Sequence, residues 1–110
     1  MSYAPYQDCI NACKTCAILC DLCATSCKSE PNSGMLQRCI ALDTDCAAFC
    51  RLTVDYMIRG SEFCDLVCED CAEVCGACAE ECAKHQMNHC QKCVDACRKC
   101  MEECLTMSTQ

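Results

Sequence analysis

CDLVCEDCAEVCGACAEEC, residues 64–82, sets six cysteines in nineteen positions: Cys64, Cys68, Cys71, Cys75, Cys78 and Cys82. The steps between them run 4, 3, 4, 3, 4. That alternation is the seam of a helix, one stripe that meets its neighbours. At about 100° per residue the six sulfurs fall within a stripe roughly 80° wide. Asp65, Glu69, Asp70, Glu73, Glu80 and Glu81 project away from it and are expected in water. The stretch reads as an amphipathic helix with sulfur where Leu or Ile would ordinarily stand.

The same pattern recurs along the chain. CINACKTCAILCDLCATSC (9–27) carries Cys9, Cys13, Cys16, Cys20, Cys23 and Cys27 at steps of 4, 3, 4, 3, 4. Cys90, Cys93, Cys97, Cys100 and Cys104 follow steps of 3, 4, 3, 4, and a sparser set holds Cys39, Cys46 and Cys50. The first ladder matches the third at an offset of 55, and the second matches the fourth at 54, with Leu36 and Asp43 where Cys90 and Cys97 stand. The chain is therefore a duplicated helical hairpin. SEPNSG (29–34), RGSE (59–62) and KHQMNH (84–89) are turn signals that leave helical segments of about 5–28, 34–59, 61–84 and 88–106. Pro5 suits a first helical turn, and Ser61 or Asn88 suits an N-cap. Short connections make consecutive helices antiparallel. The prediction is one all-α domain over 1–110, an up-down four-helix bundle with a cysteine-lined core.

Composition narrows the setting. The 110 residues include 20 Cys, a content normally seen in secreted disulfide scaffolds. MSYAPYQDCIN has no basic start, apolar run or cleavage site, so a cytoplasmic chain with reduced thiols is expected. No apolar stretch approaches the roughly 18 residues of a membrane span. The net charge of −7 and the lack of a basic, aromatic-interleaved patch argue against nucleic acid. Membrane and nucleic acid are thus both excluded as partners.

Stripes that converge on one axis line it with sulfur. As packing alone, thiols would make a thin, oxidation-prone core with few methylenes. Cysteines at helical spacing match disulfide geometry poorly, and no βαβ pattern surrounds the CxxC pairs as in thioredoxin-like proteins. The ferredoxin cysteine run is absent as well. Among metals that suit thiolate, Zn(II) at about one per four sulfurs would leave roughly ten uncompensated negative charges in a narrow core. Cu(I) at about one per thiolate leaves it neutral and sulfur-bridged, and buried unpaired charge is costly. Cu(I) ranks first as the bound ion. A zinc or cadmium thiolate buffer and a thiol redox protein are the alternatives.

The CxxxC and CxxC ladders on four helices, with CIALDTDCAAFC (39–50) in the second and CAKHQMNHC (82–90) before the fourth, resemble the four-helix-bundle copper storage proteins. The missing export signal resembles their cytosolic branch. The resemblance covers essentially the whole chain. It implies a homotetramer of bundles that stores many Cu(I) ions on inward cysteines, without catalysis. It also implies a ligand role for every cysteine of the ladders. Leu36 and Asp43 interrupt the second ladder, so that wall is expected to hold less copper.

Antiparallel topology sorts the helix ends. Tyr6, Val54, Met57 and Met107 gather beside Cys64 and Cys104 as an apolar plug. The opposite end gathers Cys27, Cys39, Cys82 and Cys90 with Met35, His85, Met87 and His89. Imidazole and thioether both bind Cu(I), so copper is expected to be admitted there and handed inward by His85 and His89, a role the resemblance also suggests. Asp43 points about 40° from the centre of its stripe and is read as a hydrogen-bond acceptor for thiols or backbone. Ile18 and Leu22 lie opposite the cysteines of the first helix and are candidates for subunit contacts.

Overall fold

The computed structural model describes residues 4–108. A 3-10 turn, Ala4–Tyr6, leads into α1 (Gln7–Lys28), and a second, Ser33–Leu36, leads into α2 (Gln37–Arg59). Helix α3 spans Cys64–Cys82 and α4 spans Asn88–Ser108. Three of the helices begin later than the spacing predicts. Pro5 sits in a 3-10 turn and not in the first α-turn. Before α2 the chain tightens the same way, with the Met35 amide donating to the Asn32 carbonyl at 2.9 Å. Such turns are common at helix starts because they satisfy amides that have no partner in the α-ladder. Ser61 caps the turn ahead of α3, its Oγ accepting from the Phe63 amide at 3.0 Å, so the helix proper starts only at Cys64.

The α2–α3 corner depends on Gly60. Its φ of 63° and ψ of 40° are left-handed, where a side chain would be strained. The Gly60 amide donates to Met57 and the Ser61 amide to Tyr56, closing the last turn of α2 as a Schellman motif. The chain then reverses sharply into α3.

Each helix packs on two neighbours: α1 and α3 both lie against α2 and α4. The result is a square antiparallel bundle measuring 48 × 19 × 18 Å. All twenty cysteines are free and buried. The largest fully buried apolar side chains, Ile10, Leu36 and Met57, belong to the ends of the bundle and not to its middle. Between them the core is mostly sulfur, interrupted by the fully buried Asp43 and Thr53 and flanked by Ala. Among the described residues, no helix is long and apolar enough to cross a membrane.

Candidate metal centre

Alternating steps of three and four keep each cysteine on the inner face, and the bundle brings the stripes into register. Along the α1–α4 seam, Cys9 approaches Cys104 at 3.6 Å, Cys13 approaches Cys100 at 3.5 Å, and Cys16 approaches Cys97 at 3.7 Å. The seam continues with Cys20 to Cys93 at 3.6 Å and Cys23 to Cys90 at 3.8 Å. Between α2 and α3, Cys39 meets Cys82 at 3.3 Å, Cys46 meets Cys75 at 3.5 Å and Cys50 meets Cys71 at 3.9 Å. Cys46 and Cys50 reach across to Cys97 and Cys100 at 3.9 and 3.7 Å and join the two seams. The thiols form one connected body of sulfur along the axis.

Groups of four sulfurs within 4.8 Å of one another recur along it. One is Cys13, Cys71, Cys100 and Cys104; others are Cys16, Cys20, Cys46 and Cys97, and Cys20, Cys78, Cys93 and Cys97. A further group, Cys23, Cys27, Cys39 and Cys90, lies at the end where α1 finishes and α4 starts. Several of these sets share members. Ions held in neighbouring sets would therefore be bridged by common sulfurs. At the opposite end the Cys64 thiol donates to the Tyr56 carbonyl at 3.3 Å.

Asp43 takes the inward place in the second wall and is fully buried. Its Oδ1 accepts from the thiols of Cys78, Cys93 and Cys82 at 3.1, 3.2 and 3.4 Å, and its Oδ2 from Cys39 at 3.8 Å. It is thus the hydrogen-bond acceptor for thiols that its position in the ladder suggested. Burial pushes its carboxyl up to about 10. Burial likewise raises the Cys27 thiol to about 11, whereas hydrogen bonds from Cys23 and Cys82 hold Cys39 near 3 against the cost of burial.

The two ends differ as their composition suggests. Val54 and Met57 are buried at one end, with Tyr6 and Met107 packed over the core. At the other, His89 Nε2 lies 3.5 Å from Cys27 Sγ, which places an imidazole on the outermost thiol of α1. A cavity of about 320 Å³ beside it is lined by Leu22, Cys23, Ser26, Asn88, His89 and Lys92. Met87 packs on the core, whereas Met35 is exposed.

His85 is placed by a residue the ladder assigned to solvent. Glu81 is buried: its Oε2 lies 3.1 Å from His85 Nε2, and its Oε1 takes Lys84 Nζ at 3.2 Å and Arg38 Nε at 3.4 Å. The expectation failed because Glu81 lies on the flank of α3 that turns towards α2, where Arg38 comes from the neighbouring helix. A usable signal was present in the sequence. Glu81 and His85 are four apart, the spacing at which side chains on one helical face meet. The other five acids of α3 are exposed as expected.

Comparison with known proteins agrees with this geometry. Residues 2–109 match the family described as copper storage protein. The uncharacterized cysteine-rich protein YhjQ of Bacillus subtilis (strain 168) is 43% identical over 83 residues, covering 76% of this chain and 77% of that protein. The Cu(I)-bound copper storage protein BsCsp3 of Bacillus subtilis superposes with a TM-score of 0.91 at 41% identity, covering 97% of this chain and 99% of that one. A cytosolic copper storage protein from Streptomyces lividans with five coppers gives a TM-score of 0.94 at 36% identity over 98% and 95% of the two chains. A sulfur-lined bundle, matched along its length by the family description and by solved relatives, makes this chain a member of the copper storage protein family.

Proposed function

We propose that the chain is a cytosolic Cu(I) store that holds roughly one ion per cysteine in sulfur-bridged form, and that it sequesters without catalysing. The observation that carries this is the sharing of Cys16, Cys20, Cys46 and Cys97 among overlapping four-sulfur groups. Ligands used twice describe a continuous metal-binding surface. Cu(I) balances each thiolate with one positive charge and leaves the dry core neutral. The ligand set proposed is the twenty cysteines, with His85 and His89 receiving copper at the mouth. The exposed Ile18 and Leu22 form the proposed contact between subunits of a homotetramer.

Anaerobic titration of the reduced protein tests the reading. Cu(I) is expected to bind to about one per cysteine, whereas zinc would stop near one per four. A Cu(I) end-point at the zinc ratio, or none at all with reversible disulfide formation, would overturn it. The uptake role of the histidines is checked by stopped flow. His85→Ala/His89→Ala should load several-fold more slowly to the same final capacity, and wild-type kinetics would remove that role.

A further inference from the structure

A buried carboxylate at the rim of a metal store needs a reason, because an unpaired one would be costly. The Glu81 side chain is 9% exposed and the His85 side chain beside it 16%. Two exposed cations, Arg38 from α2 and Lys84 just beyond α3, hold Oε1 from outside. Oε2 is left to the imidazole. The carboxylate is thereby fixed from two elements and presents one oxygen to one ring nitrogen. An ionised carboxylate only accepts, and a neutral imidazole has a single N–H to give. The 3.1 Å contact therefore selects the tautomer protonated at Nε2 and leaves the Nδ1 lone pair bare. The His85 amide donates to the Cys82 carbonyl at 3.1 Å, and the Cys82 sulfur lies 3.3 Å from that of Cys39, a member of the four-sulfur group at the mouth.

We propose that Glu81 is a positioning residue for copper uptake: it holds His85 in one tautomer and orientation, with Nδ1 free to take Cu(I) and pass it to the mouth thiols. The proposal rests on His85 being an uptake ligand. Metal-binding histidines commonly give their second N–H to a carboxylate, and losing that partner typically costs 10–100-fold. Arg38 and Lys84 serve Glu81 in turn, by neutralising its charge at the rim.

The test uses the full-length, reduced apo protein carrying ¹⁵N-histidine, read by long-range ¹H–¹⁵N correlation near pH 8, with uptake of the first equivalent from a Cu(I)–bicinchoninate chelate followed by stopped flow. Wild type is expected to show His85 protonated at Nε2. Glu81→Ala should give mixed tautomers and about tenfold slower first uptake, with final copper capacity unchanged. Glu81→Gln has a single acceptor oxygen, which Arg38 and Lys84 hold, so its amide N–H turned to Nε2 should favour the opposite tautomer, protonated at Nδ1, and slow first uptake as well. In a His85→Ala background, Glu81→Ala should slow uptake no further. A wild-type tautomer or rate in Glu81→Ala, while His85→Ala is slow, overturns the proposal, as does additive slowing in the double variant. Wild-type uptake in His85→Ala instead overturns the role of His85 itself, and that of Glu81 with it.

Discussion

Asp43 is a carboxyl set in a wall of sulfur, and its surroundings decide its charge. With its pKa moved from 3.8 to about 10 by burial, it is neutral at physiological pH in the folded apo protein. The unfolded chain sheds that proton near pH 4, so between these values the native state binds the extra proton. Stability contributed by Asp43 is then fully present below about pH 4 and is lost as pH rises towards 10. Asp43→Asn removes this slope. Its apo form should gain on wild type between about pH 4 and pH 10, by up to about 1.4 kcal/mol per pH unit, in denaturant titrations under reducing conditions. Leu36 shows the opposite kind of interruption, an apolar side chain fully buried where the repeat has a thiol. Leu36→Ala should cost about 3 kcal/mol of apo stability by the same measurement, since the rim has few other large apolar groups to collapse into the space.

Single helices record how closely these walls approach. On α3, a Cβ placed at Gly76 would meet Met101 Sδ of α4 at 3.2 Å. The thioether is flexible and half-buried, so it yields, and the helix gains the propensity of Ala. Gly76→Ala should stabilise the apo bundle by about 0.5 kcal/mol in thermal or chemical unfolding. A loss of stability would mean that Met101 is locked in place. At this scale the sequence was legible because a step of three or four leaves little choice of face. Cys64 to Cys82 and Cys9 to Cys27 all point inward, and so does Asp43. Less was legible where the outcome depends on a neighbour. Which four sulfurs meet depends on the stagger of the helices, to which spacing within one helix is blind. Glu81 lies on a flank where rotation by a fraction of a turn exchanges water for Arg38. The 3-10 starts of α1 and α2 were equally hidden, because hydrophobic spacing scarcely distinguishes the last turn before a helix from its first.

For the whole molecule, a core of thiols has fewer methylenes than one of Leu and Ile, so the cargo itself becomes part of what holds the four helices together. Ligand that binds only the folded state raises its stability by mass action. Melting temperature should therefore climb with each added equivalent of Cu(I), as followed by calorimetry without oxygen. Each ion displaces a thiol proton, so the loaded protein should release copper as pH falls, readable by transfer to a chelator. On the outer surface Ile18 is 61% exposed and Leu22 55%. If they join subunits, Ile18→Glu/Leu22→Glu should reduce the assembly to the 12.1 kDa monomer in size-exclusion chromatography. The two ends of the bundle carry a consequence of their own. One is stoppered by Met57, Val54, Tyr6 and Met107, and the other carries the His89 imidazole on the outermost thiol of α1. A vessel with one opening keeps its contents in order: what arrives first lies deepest, and what arrives last leaves first. Protein filled half with ⁶³Cu and then with ⁶⁵Cu should give up the heavier isotope first to a limiting chelator, and a mixed release would mean that ions change places along the sulfur column faster than they depart.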